Sequence, residues 1–67
     1  MVFRLKEIRQ QRGITQTKLS ELSGISRPVI IKMEKDTEGK TTAHTLIELA
    51  RVLQVEPGDL FYPLWHQ

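Results

Sequence analysis

The chain contains no cysteine, and only four of its 67 residues are aromatic. Without cysteine, disulfides and thiolate metal sites are excluded, so helix packing and association with a second subunit remain to stabilise so short a chain. Apolar runs are never longer than three residues, and no charged and hydrophobic leader opens the sequence, which argues against membrane insertion and secretion. We therefore expect a single cytoplasmic domain spanning residues 1–67.

Positive charge is concentrated in the first part of the chain. Residues 1–40 carry nine Lys or Arg against five acidic residues, whereas residues 41–67 carry one Arg against three acids. A basic half suits a polyanion such as DNA, but a small basic face is also common on ordinary soluble proteins. Charge alone leaves both interpretations open.

Glycines and capping residues divide the first part of the chain into short helices. Gly13 is expected to end a first helix over about residues 2–12. Thr15 is placed to cap a second helix, QTKLSELS, which Gly24 ends. Both helices are only about two to three turns long.

The second part of the chain continues this helical pattern. Ser26 can cap a third helix with Pro28 in its first turn, where a missing N–H does no harm. Thr42 can cap a fourth helix, and Pro57 opens a final short turn. The fourth helix has a clear amphipathic stripe, formed by Leu46, Leu49, Ala50 and Leu53. No segment alternates with the period of a strand, so we expect an all-α bundle of four to five helices.

The third helix has more apolar residues than it needs for packing against the other helices. Ile30 and Met33 lie on the side that can pack on the first two helices. The opposite arc has a mixed chemistry that suits a DNA major groove, where cations donate to guanine and aliphatic groups contact thymine methyls. It is formed by Arg27, Pro28, Val29, Ile31 and Lys32. Alternatively, its aliphatic members pack against a loop or a dimer partner.

The segment GITQTKLSELSGISRPVIIKMEK, residues 13–35, resembles the helix-turn-helix of the Cro and phage-repressor (Xre-type) family of bacterial and phage regulators. The Gly-Ile-Thr-Gln opening, the turn at 23–27 and the Ile30…Met33-Glu34 ending fall at that family's spacing. The likeness continues through TLIELARVL and VEPGDLF, so it covers about residues 3–61. The resemblance implies a lambda-repressor-like bundle with its helix-turn-helix at about 15–35, and sequence-specific binding of double-stranded DNA.

The resemblance also assigns roles to individual residues. Arg27, Pro28 and Lys32 occupy base-contacting positions of the recognition helix, and Val29 lies where relatives touch the groove wall. Gln16 occupies a position that commonly binds phosphate at the start of the second helix. Weaker phosphate candidates lie at helix starts or after the third helix, namely Thr15, Thr17, Lys35, Lys40, Thr42 and His44.

Arg9 and Glu34 match a pair that forms a salt bridge between the first and third helices in this family. Such a pair is expected to orient the recognition helix first and to add stability second. The alternative is a solvent-exposed pair that contributes little.

The C-terminal end contains three of the four aromatic residues, in FYPLWHQ at 61–67. A lone domain of this size has little core with which to cover Phe61, Leu64 and Trp65. We expect the tail, residues 62–67, to help form a homodimer that reads a pseudo-palindromic operator. The alternative is that Trp65 folds back over its own chain.

The leading functional hypothesis is a transcription regulator, either a repressor or an autoregulator. A DNA-binding antitoxin, the controller of a restriction-modification operon and a protein-interaction module that does not bind DNA are the alternatives. An enzyme is not expected, because His44 and His66 are the only histidines and neither has a second ligand at metal-binding spacing. Accordingly we expect no cofactor, metal, small-molecule ligand or membrane partner.

Overall fold

The computed structural model of the protein describes residues 2–36 and 39–62, and this part of the chain is helical. The first three helices are α1 (Leu5–Gln11), α2 (Gln16–Ser23) and α3 (Arg27–Lys35). They are followed by α4 (Ala43–Leu53) and a 3₁₀ turn (Pro57–Leu60). The predicted all-α class is confirmed.

The helix boundaries follow local capping chemistry. Thr15 Oγ1 accepts a hydrogen bond from the Lys18 N–H at 3.0 Å and so caps α2. Gly24 ends α2 in the left-handed region with φ of 74°, which glycine adopts without strain. Ser26 occupies the N-cap position of α3, but its side chain makes no capping hydrogen bond there. The predicted Ser26 cap is therefore correct in position only.

The fourth helix supplies the centre of the core. Leu49 and Leu53 are fully buried, and Leu46 packs partly buried against them, as the amphipathic stripe predicted. The buried apolar cluster comprises Phe3, Leu5, Ile8, Leu19, Ile25, Ile30, Met33, Leu49, Ala50, Leu53 and Leu60. None of the helices within the described ranges has the length and apolar character to cross a membrane.

The predicted start of the first helix is wrong, because α1 begins only at Leu5 and residues 2–4 pair with the end of the chain. The Arg4 N–H donates to the Leu60 carbonyl at 2.6 Å, and the Tyr62 N–H donates to the Val2 carbonyl at 3.0 Å. In a helix that began at residue 2, the Val2 carbonyl would instead accept from the Lys6 N–H, while the Arg4 N–H would have no acceptor within the helix. The pairing joins segments almost a whole chain apart, so local helix signals do not reveal it.

Phe3 and Phe61 face each other at this antiparallel bridge, with ring centroids 4.9 Å apart. Phe61 is therefore half-buried within its own chain, and its burial needs no partner subunit. Leu64 and Trp65, the other two residues predicted at a dimer interface, lie outside the described residues.

Candidate nucleic-acid interface

The third helix has three faces, and each meets a different environment. Its inner face carries Ile30, which is fully buried, and Met33, which is 3% exposed. Its outer face carries Pro28, Val29 and Lys32, all of which are exposed. The second helix packs against α3, and the three side chains of this outer face remain exposed within the described residues.

The remaining face of α3 lines a cleft at the junction with α1 and the start of α2. Arg27 and Ile31 belong to this face, and Ile31 is half-buried, although the helical arc predicted it to be exposed. The cleft has a volume of about 420 Å³. It is lined by Lys6, Arg9, Thr15, Gln16, Thr17, Arg27, Ile31, Glu34 and Lys35.

A buried ion pair forms the floor of this cleft. Arg9 Nε donates to Glu34 Oε2 at 2.7 Å, and Arg9 Nη2 donates to Glu34 Oε1 at 3.3 Å. The side chains of Arg9 and Glu34 are only 10% and 5% exposed. Arg9 Nη1 also donates to the Ile14 carbonyl at 2.9 Å, so one guanidinium joins α1, the turn before α2, and α3. The pair expected from the family resemblance is thus present and buried.

Gln16, expected from the sequence to contact phosphate, is engaged by the same ion pair. Its Nε2 donates to Glu34 Oε1 at 2.9 Å. A side-chain amide has two N–H donors, so one remains for a further acceptor. The Glu34 carboxylate consequently fixes the amide in the cleft.

The other phosphate candidates lie in different surroundings. Thr15, Thr17 and Lys35 line the cleft, whereas Lys40 and Thr42 precede α4 and His44 lies in its first turn, all three outside the cleft lining. The Thr42 hydroxyl caps α4 by accepting from the Thr45 N–H at 3.2 Å. Lys40 and His44 are exposed.

Lys6 is the cleft residue that sequence reasoning missed. It lies on the exposed side of α1. Several Lys and Arg residues occur in and around this helix, and no local sequence pattern shows which of them contributes to a site. The packing of α1 on α3 brings Lys6 to the same cleft as Arg27 and Lys35. Only the tertiary structure reveals this grouping.

The helical bundle, in which a short turn joins α2 to α3, has the architecture of a helix-turn-helix domain. A family model described as "Helix-turn-helix" matches residues 5–60, and the chain belongs to this Cro and phage-repressor type of helix-turn-helix family, whose members are DNA-binding transcription regulators. No curated protein sequence matches the chain significantly.

Within the described ranges, no three His, Cys, Asp or Glu side chains are grouped as a metal ion would require.

Proposed function

We propose that this protein is a sequence-specific regulator, acting as a repressor or autoregulator, that inserts α3 into the major groove of double-stranded DNA. The observation that carries the proposal is the outer face of α3, where Pro28, Val29 and Lys32 are all exposed. Lys32 can donate to guanine O6 or N7, and Val29 can contact a thymine methyl group. Pro28 has no side-chain donor and can contribute only by contact and shape.

The charge distribution supports the same orientation. Residues 1–40, which carry a net positive charge, contain α1, α2 and α3. Residues 41–67, which carry a net negative charge, contain α4 and the end of the chain. A domain that presents its basic half to DNA keeps its acidic half away from the phosphates. The proposed site of action is the cytoplasm, and the proposed functional unit is a single domain over residues 1–67.

A homodimer is proposed as the DNA-bound form. One small helix-turn-helix domain offers limited contact area, and two recognition helices about 34 Å apart would read two half-sites on one face of the duplex. Leu64 and Trp65 are the proposed interface residues, whereas Phe61, which the sequence also suggested for the interface, is proposed to act within its own chain through Phe3.

The alternatives are a DNA-binding antitoxin, a restriction-modification controller and a protein-interaction module. The first two share the DNA-binding step, and gene neighbours distinguish them from a free-standing regulator. The interaction module would have no DNA affinity to lose as salt rises, whereas affinity that depends on phosphate contacts falls steeply with salt.

The deciding experiment is selection of bound duplexes from a random DNA library at low salt, with light scattering of the enriched complex. Enrichment of a two-fold symmetric site bound by two chains is the expected result. Enrichment of an asymmetric site bound by one chain would contradict the proposed homodimer but would still support a sequence-specific regulator. Failure to enrich any sequence would overturn DNA recognition by this protein alone.

A further inference from the structure

We propose that Arg27 binds the DNA backbone and not a base, and that it shares this task with Lys6 in the cleft between α1, α2 and α3. The inference rests on the proposed DNA-binding function and refines it. It divides α3 into a side that contacts phosphate and a side that reads sequence. The family resemblance alone predicts the opposite role for Arg27.

The direction of the Arg27 side chain is the first argument. At about 100° per residue, Arg27, Ile31 and Lys35 lie within an arc of about 80° on α3, and all three border the cleft. Pro28, Val29 and Lys32 lie on the next arc of the helix and take no part in it. Arg27 therefore borders the same cleft as the start of α2, and the proposed base-reading arc begins at the residue after it.

The chemistry of the cleft is the second argument. Lys6, Arg27 and Lys35 are exposed, and they enter none of the ion pairs formed within residues 2–36 and 39–62. The acid of the cleft, Glu34, already faces the Arg9 guanidinium at 2.7 Å, so its charge is offset. The cleft is left with an excess of three cations, which favours an anion.

Neutral donors in the same cleft suit a phosphodiester in particular. Thr15 and Thr17 bring hydroxyl groups, and the Gln16 amide keeps one N–H after donating to Glu34 at 2.9 Å. A phosphodiester has one negative charge and two outer oxygens, so it can accept from a cation and a neutral donor together. Such contacts position the protein on the duplex and carry no sequence information.

The test compares variants of the full chain on two duplexes, the site enriched by selection and a scrambled version of it, across a series of salt concentrations. Each phosphate contact made by a cation contributes about 0.9 to the slope of log affinity against log salt. Arg27→Ala should therefore reduce that slope by about 0.9. The same relation gives an affinity loss of about eightfold at 0.1 M salt, which vanishes towards 1 M.

The proposal requires that this loss be equal on both duplexes, and that Lys6→Ala behave in the same way. Arg27→Gln, which keeps most of the side-chain length, should match Arg27→Ala because the charge is what matters. Arg51→Ala is the matched control: it removes one positive charge from α4, where Arg51 bonds to Glu48 at 3.0 Å, and should leave the slope unchanged. Thermal unfolding followed by circular dichroism identifies any variant whose fold has changed.

Two results would overturn the inference while leaving the proposed function standing. One is a loss confined to the selected duplex, with relaxed preference at a single base pair, which would make Arg27 a base reader. The other is an unchanged salt slope in Arg27→Ala or in Lys6→Ala. Failure of the proposed function has a different signature, because the unsubstituted protein would then bind neither duplex.

Discussion

Arg9 and Glu34, 25 positions apart in the sequence, form a doubly hydrogen-bonded ion pair with a shortest N–O distance of 2.7 Å. The pair joins α1 to α3 under the cleft, and Gln16 at the start of α2 donates to the same carboxylate. Three helices therefore meet at one acidic group. We propose that this contact orients the recognition helix together with its apolar face.

The first prediction is that Glu34→Ala destabilises the protein strongly. The substitution leaves the Arg9 charge buried without its partner, and breaking a buried pair in this way typically costs about 3–5 kcal/mol. Urea unfolding at 25 °C measures the change. The control is Glu48→Ala, which breaks the Arg51 pair, whose side chains are 59% and 27% exposed for Arg51 and Glu48, and should cost about 0–1 kcal/mol. Equal losses in the two variants would mean that burial does not strengthen the Arg9 pair.

The second prediction concerns the double substitution Arg9→Met with Glu34→Leu. Replacing a buried pair by apolar residues of similar volume is often neutral or stabilising, so the free energy of unfolding should recover most of what Glu34→Ala loses. DNA affinity should not recover equally, because Gln16 loses the carboxylate that fixes its amide. Urea unfolding and a binding titration on one duplex measure the two quantities. Full recovery of both would reduce the ion pair to a stabilising contact without a positioning role.

Much of the fold could be predicted because its boundaries are encoded by neighbouring residues. Thr15, Gly24 and Thr42 act within one turn of their own positions, and a single sequence contains that information. The start of α1 was predicted wrongly because residues 2–4 pair with the end of the chain. Hydrogen bonds between residues so far apart in the sequence produce no periodic pattern in the local sequence.

The candidate site was predictable only in part, for the same reason. The positions along α3 follow from helix geometry, and the resemblance identified Arg9 and Glu34 as partners. Neither source grouped Lys6 with Arg27, because that grouping depends on how α1 packs against α3. Ile31 was expected to be exposed and is half-buried, since the cleft wall covers part of it.

The third prediction compares an N-cap residue that makes a capping hydrogen bond, Thr42, with one that does not, Ser26. Thr42→Ala removes the acceptor of the Thr45 N–H and should cost about 1 kcal/mol. Ser26→Ala should cost less, because the Ser26 side chain makes no capping hydrogen bond. The midpoint of urea unfolding compares the two variants. A larger loss for Ser26→Ala would show that the hydroxyl of Ser26 is engaged elsewhere.

The fourth prediction concerns the two sides of α4. Leu49 is fully buried, so Leu49→Ala should lose about 2–5 kcal/mol from the removed methyl groups and the cavity they leave. Ile47 lies on the same helix and is 52% exposed, so Ile47→Ala should change stability by less than about 1 kcal/mol. Unfolding free energies of both variants check this difference. A large loss at Ile47 would instead indicate that this side of α4 is covered in solution.

The last prediction separates the two roles assigned to the aromatic C-terminal end. Phe61 packs against Phe3 at 4.9 Å within one chain, so Phe61→Ala should lower the unfolding temperature by a similar amount at every protein concentration. Association stabilises a folded protein by mass action, so a residue that acts through the dimer should behave differently. Trp65→Ala should abolish the rise of unfolding temperature with concentration and leave light scattering at the mass of one chain. If Trp65→Ala kept both the dimer mass and the concentration dependence, the tail would not form the interface, and two-fold operator recognition would require another contact surface.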